Sequence, residues 1–253
     1  MSVSAGLRAA ARSALGDYQY LVERGYPTRP AIELVGNRYR LTREERNMLY
    51  RGIVSRARAA ERKKRVIEPR EVCRRPDVGQ AASGLPAPAG PVVLIDGHNV
   101  LYTIRAYLSG VAVFLCTDGV LRDAGAAHGK HPPPEWLAEL CGTLSGACAS
   151  LHGGLRPTVL LDAQLSSVEM LVEALRSAFT VHALEFEVRV TREVDRELLS
   201  ANPPAVIAGS DSVLLDRGNA PVFDLARYAL ERTYGARFLD LTAELEVGTE
   251  DTI

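Results

Sequence analysis

The sequence predicts an α/β fold in which a doubly wound parallel sheet is preceded by a small basic all-helical domain. Three observations carry this. From Pro91 onward, short apolar runs alternate with stretches of helical periodicity, the pattern of a parallel sheet covered on both faces. Residues 76–90, PDVGQAASGLPAPAG, are mostly Pro, Ala and Gly with one charge, and read as a linker. Charge divides at the same place: residues 1–75 hold 18 Lys and Arg against 8 Asp and Glu, a balance of +10, while the remainder, with 12 against 23, stands at −11. A basic module invites a polyanion, and an acidic one a metal ion or a basic partner. The expected domains are therefore 1–75, a linker at 76–90, and 91–253.

Three helices are expected in the basic part. The first runs from Ala5 to Arg24 and stops at Gly25-Tyr26-Pro27. The second covers Arg29 to Tyr39, with Pro30 in its first turn. A third starts at Thr42, whose Glu45 three residues on makes a capping box, and continues through Met48, Leu49, Ile53 and Val54 toward Arg65. Arg51, Arg58, Arg62 and Arg65 fall at helical spacing on it and form a basic stripe suited to tracking phosphates. A solvated helix face is the plainer reading of the same stripe. Tyr26, Tyr39 and Tyr50 read as packing residues.

The apolar runs expected as strands are 92–95, 111–116, 158–161, 184–190, 205–208 and 221–223. Helices are expected near 99–108, 135–151, 167–179, 193–200, 212–217 and 224–234, with Ser166 and Glu169 capping the third. The longest apolar run, Val111 to Cys116, is far short of the about 20 residues that span a bilayer. The N-terminus lacks the continuous apolar core of a secretory signal. Cys73, Cys116, Cys141 and Cys148 show no CxxC spacing, which fits a reducing cytoplasm.

Ligands of open parallel sheets bind beyond the carboxyl ends of the strands. Carboxylates stand at those ends: Asp96, Asp118, Asp162 and Asp211 after strands, and Asp195 at the start of a helix. Any one of these reads equally well as a helix cap or turn. Several on one edge repel, by about 4 kcal/mol per pair at about 4 Å. A divalent cation offsets that cost, and hard oxygen donors suit Mg²⁺ or Mn²⁺.

The element Ile95-Asp96-Gly97-His98-Asn99 gives a strand-end acid, a Gly for a tight turn and an Asn at a helix start. Together with Leu161-Asp162-Ala163, Asp195-Arg196-Glu197-Leu198-Leu199 and Gly209-Ser210-Asp211-Ser212, in that order, it resembles the PIN and NYN-like nuclease superfamily over 91–253. The whole layout, including GYPxxxAIELVGNRYRLTxxERNxLYR, is also similar to the prokaryotic domain-of-unknown-function 434 proteins. The nuclease resemblance implies a PIN-like domain that hydrolyses phosphodiesters, usually in RNA, with one or two Mg²⁺ or Mn²⁺ ions, whereas the second adds architecture and no activity. The first implies Asp96, Asp195 and Asp211 as metal ligands, Asp162 as a ligand or supporting carboxylate, and Asp216 as an outer ligand. Asn99 would fix Asp96 or the scissile phosphate.

The loop after 111–116 carries Asp118, Arg122, His128 and His131 and offers either substrate contacts or an ordinary surface hairpin. No GxSxG elbow, GxGxxG turn or P-loop is present. A haloacid-dehalogenase phosphatase would need a second Asp two residues after Asp96, where His98 stands. The expected partner is nucleic acid, RNA in particular, with no membrane and a homo-oligomer left open. The competing class is a catalytically silent nucleic-acid-binding or scaffold protein.

Overall fold

The computed structural model describes residues 7–73, 92–125, 134–151, 155–164 and 168–250. Its elements in chain order are α1 Ala9–Glu23, α2 Thr28–Arg38, α3 Arg43–Gly52, α4 Arg56–Lys63, α5 Pro69–Cys73, β1 Val92–Asp96, α6 Gly97–Leu108, β2 Val113–Leu115, β3 Leu121–Asp123 and α7 Pro134–Ser150. Then come β4 Arg156–Asp162, α8 Val168–Val181, β5 Glu187–Thr191, α9 Val194–Ser200, β6 Val206–Ala208, α10 Ser212–Arg217, β7 Val222–Phe223, α11 Leu225–Tyr234, β8 Leu239–Asp240 and α12 Leu241–Glu250. The chain divides into two compact units. One comprises residues 1–64, 106–126 and 236–253, the other 65–105 and 127–235. None of the helices, among the described residues, is long and apolar enough to cross a membrane.

The first unit differs from the helical domain expected at 1–75. Its core joins Leu15 and Tyr18 of α1 and Leu49 of α3 to Phe114, Cys116 and Leu241, which come from distant parts of the chain. Gly52 ends α3 with no room for a side chain, because a Cβ there would press on Phe114 and Leu241. The sheet of this unit, ordered β3-β2-β8, takes up the 111–116 run that was expected among the parallel strands. Residues 65–73 belong to the other unit, where Val222 donates its N–H to Arg65 O and Ile67 donates to Val222 O.

The single helix expected over 42–65 is two. The Thr42–Glu45 capping box opens α3 as expected, both of its hydrogen bonds being present. The chain then turns extended at Ile53, and Ser55 caps α4 by accepting from Arg58 N. β-branched Ile53 and Val54 before a Ser N-cap are a stop and a restart. Tyr26 and Tyr50 are 56% and 38% exposed, so neither is the packing residue expected, whereas Tyr39 packs against the core and donates its hydroxyl to Asp17.

The second unit holds a five-stranded, wholly parallel sheet in the order β5-β4-β1-β6-β7. Strands buried on both faces read as continuous apolar runs, which is why VVLI, TVLL and AVIA were legible. Helices α7, α8 and α11 pack together, while α9 lies against β1 and β4. The strand order reverses at β1, which has β4 on one side and β6 on the other.

Gly97 is not a turn glycine, as the sequence suggested, but a close-approach residue. A Cβ there would lie 2.7 Å from Leu161 Cδ2, 2.9 Å from Leu160 O and 2.9 Å from Val159 Cγ1. The backbone carbonyl of β4 cannot yield without disturbing the strand pair. Gly97→Ala is therefore expected to lower stability by about 1–3 kcal/mol, read as a shifted urea midpoint; an unchanged midpoint would contradict this packing.

Candidate active site

The acidic edge is built from strand ends and helix starts. Asp96 closes β1, and its Oδ1 accepts the Asn99 N–H at 3.1 Å. The Asn99 side chain reaches to the loop after β6, where its Oδ1 accepts from Ser210 N at 2.8 Å and Ser210 Oγ at 3.2 Å. Gly209 lets the two strands' ends meet: a Cβ there would stand 3.4 Å from both Asn99 Oδ1 and Asp96 Cβ. Asp211 comes two residues later and caps α10, its Oδ1 accepting from Val213 N at 2.7 Å and Leu214 N at 3.4 Å. Asp195 lies in the first turn of α9.

The charges of Asp195 and Asp211 are felt at Asp96. Burial pushes the Asp96 carboxyl up to about 7, against the opposing Asn99 N–H, and the negative charges of Asp211 and Asp195 push it the same way. Asp96 and the Asp211 loop thus lie on either side of the Asn99–Ser210 junction, and Asp195 is near enough for its charge to act on Asp96. Asp162, at the end of β4, is turned to its own loop: its Oδ1 accepts from Gln164 N at 2.8 Å. Its backbone N–H donates to His98 Nδ1 at 3.3 Å, and the His98 ring tilts against Tyr102 at 5.7 Å. The charge of Asp216 is felt by Arg65.

The residues expected to contact substrate fare differently. Asp118 and Arg122 are not on a substrate loop. Arg122 makes a bidentate pair with Asp118 at 3.0 and 2.9 Å, and Arg62 Nη1 donates to the same carboxylate at 2.7 Å. With side chains 0%, 6% and 5% exposed, Asp118, Arg122 and Arg62 form a buried ion cluster in the first unit. Arg51 is held by Asp123 at 3.1 Å and Gly125 O at 2.9 Å. Arg65 spends its guanidinium on three carbonyls of the second unit, Leu214, Leu215 and Ala220, at 2.5, 2.6 and 2.6 Å. The basic stripe does not exist as such, because the helix that would carry it is broken and three of its four arginines serve structure. Arg58 alone of the four is exposed. His128 and His131 lie outside the described residues.

Sequence reasoning missed Ser210 and His98 as parts of this edge. Both were in view, Ser210 beside Asp211 and His98 inside the Asp96–Asn99 element, but their partners are residues far along the chain.

The donor chemistry suits a hard divalent cation. Among the described residues no group of three or more His, Cys, Asp or Glu is drawn closely enough to enclose a metal. Mg²⁺ does not require such a cage, since it keeps several waters and takes one or two carboxylates beside substrate phosphate. A bound cation would offset the charges of Asp195 and Asp211, which raise the Asp96 carboxyl less than burial does.

Comparison with known proteins agrees with the two-part layout. Residues 11–65 match the family described as a protein of unknown function, DUF434, as the Gly25–Arg51 segment suggested. An uncharacterized protein of Methanocaldococcus jannaschii is 28% identical over 216 residues, covering 85% of this chain and 94% of its own. No solved structure matches the chain. Residues 87–228, more than half the chain and including the whole acidic edge, match the domain of unknown function DUF5616, and the chain belongs to that family.

Proposed function

We propose that this protein is a metal-dependent ribonuclease with a PIN-like domain, hydrolysing phosphodiester bonds at the acidic edge of the parallel sheet. The observation that supports this reading is the Asn99–Ser210 junction that sets Asp96 beside the Asp211 loop, with Asp195 near enough to act on Asp96, where the strand order reverses, the place at which open α/β sheets bind ligands. These three carboxylates would hold Mg²⁺ or Mn²⁺. When bound, such an ion supplies a water of lowered pKa and a positive charge for the leaving oxygen.

The chain's own residues set the stage for that chemistry. Asn99 ties the start of α6 to the loop after β6, so Asp96 and Asp211 are held by one hydrogen-bonded junction. Capping of α10 orients Asp211, because one oxygen accepts from the helix. Asn99→Ala removes the acceptor of Ser210 N–H and Oγ, and is expected to cost about 1–2 kcal/mol of stability together with a loss of cleavage that Asn99→Asp partly restores. Equal melting and equal cleavage in Asn99→Ala would remove Asn99 from the site. The cations that α4 presents to solvent are Arg56, Arg58 and Lys63 rather than the buried Arg62, and these would meet phosphates.

The test is cleavage of a pool of labelled RNAs and single-stranded DNAs by the full chain in Mn²⁺, in Mg²⁺ and in chelator. Metal-dependent cutting of RNA is the expected result. Binding without cutting in either metal would overturn this reading in favour of a silent nucleic-acid-binding or scaffold protein.

A further inference from the structure

β5 is an outer strand of the five-stranded sheet and pairs only with β4. The opposite outer strand, β7, is shielded, since Val66 bridges to Val222 and the neighbouring backbone hydrogen bonds close that edge. Among the described residues nothing covers β5 in this way. It carries neither a proline nor a lysine, two common devices that keep an open edge solitary.

Instead β5 carries a pattern with its own complement. Glu187 and Arg189 are exposed and share one face, where they already reach each other at 2.8 Å while Arg189 also donates to Glu197 of α9 at 3.0 Å. Phe186, Val188 and Val190 share the other face, and Val190 is 42% exposed. We infer that β5 pairs antiparallel with β5 of a second copy, in the register that sets Val188 opposite Val188. That register puts Glu187 of each copy opposite Arg189 of the other, and Val190 opposite Phe186.

Neighbouring registers fail on simple grounds. Centring the pair on Glu187 sets two carboxylates opposite, and centring it on Arg189 sets two guanidiniums opposite, both repulsive. A register shifted by a single residue sets charges against valines and phenylalanine. The Val188-centred pairing satisfies both faces, and it is two-fold symmetric, as closed dimers are. It would extend each five-stranded sheet into a continuous sheet shared by two chains. The pairing stands or falls independently of ribonuclease activity.

The test is sedimentation of the full chain over a range of concentrations, where the expected species has twice the 27.4 kDa mass of the chain. Glu187→Arg and Arg189→Glu, each alone, set like charges opposite one another and are expected to weaken association by on the order of tenfold or more. Mixed in equal amounts, the two variants are complementary again, and a heterodimer should return. A folding defect cannot produce that rescue. Hydrogen exchange needs no substitution: the β5 amides of the unaltered chain should become better protected as concentration rises. A chain that stays monomeric throughout, a dimer indifferent to both substitutions, or single variants that do not recover on mixing would each overturn the proposal.

Discussion

Asp96→Asn is expected to reduce metal-dependent cleavage by about 10²–10⁴-fold, the range in which one charge-bearing group of an active site acts, while raising the stability of the chain at pH 8. The gain in stability comes from titration. The Asp96 carboxyl ionises near 7 in the folded chain and near its ordinary 3.8 when unfolded. Below the lower value both states hold the proton, and titration does not distinguish them. Between the two, the unfolded chain gives up its proton more readily than the folded chain, so stability falls as pH rises through this window and stays reduced above it. Asn carries no charge and escapes the loss. The variant should melt with the unaltered protein near pH 4 and exceed it by about 1–3 kcal/mol at pH 8. At limiting Mg²⁺, cleavage by the unaltered chain should rise with pH, because the cation must displace the Asp96 proton. A variant less stable at pH 8, or one that cleaves normally, would remove Asp96 from the centre of the site.

Asp118→Ala is expected to damage folding rather than binding. Asp118 lies at the middle of a buried cluster in which Arg62 and Arg122 both donate to its oxygens. Taking away the carboxylate leaves two buried guanidiniums facing each other, and breaking a buried pair of this kind costs about 3–5 kcal/mol. The melting temperature should fall by about 6–20 °C. Arg58→Ala, on the exposed side of α4, should stay within about 0.5 kcal/mol of the starting protein. Calorimetry of the two variants separates a structural role from a nucleic-acid-binding role. If Asp118→Ala melts with the unaltered chain, the cluster is not what holds this part of the first unit.

The second unit was legible in the sequence because its logic is local. Buried parallel strands are runs such as VVLI and TVLL, the helices between them keep their period, and strand-end acids mark the edge where ligands bind. The strand end and helix starts that carry Asp96, Asp195 and Asp211 were therefore placed from their neighbours alone. The first unit was not legible because its core is shared by distant segments: Phe114 and Leu241 complete a core begun by Leu15 and Leu49. Nothing local to residues 1–75 says that its helices remain incomplete. Arg62 misled for the same reason. An arginine at helical spacing reads as surface charge, and only the Asp118 carboxylate, 56 residues further along the chain, turns it inward. Arg65 likewise reads as part of a stripe until the carbonyls of Leu214, Leu215 and Ala220 claim its guanidinium.

Ribonuclease activity of the kind proposed requires that Asp96, Asp195 and Asp211 form one cation site. The direct measurement is Mn²⁺ titration of the full chain at pH 8, monitored by the loss of the free-ion paramagnetic resonance signal, for the unaltered protein and for Asp96→Asn and Asp211→Asn. A shared site predicts saturable binding that either substitution weakens by on the order of tenfold or more. Mn²⁺ binding that is absent from the unaltered chain, or identical in all three proteins, would contradict it.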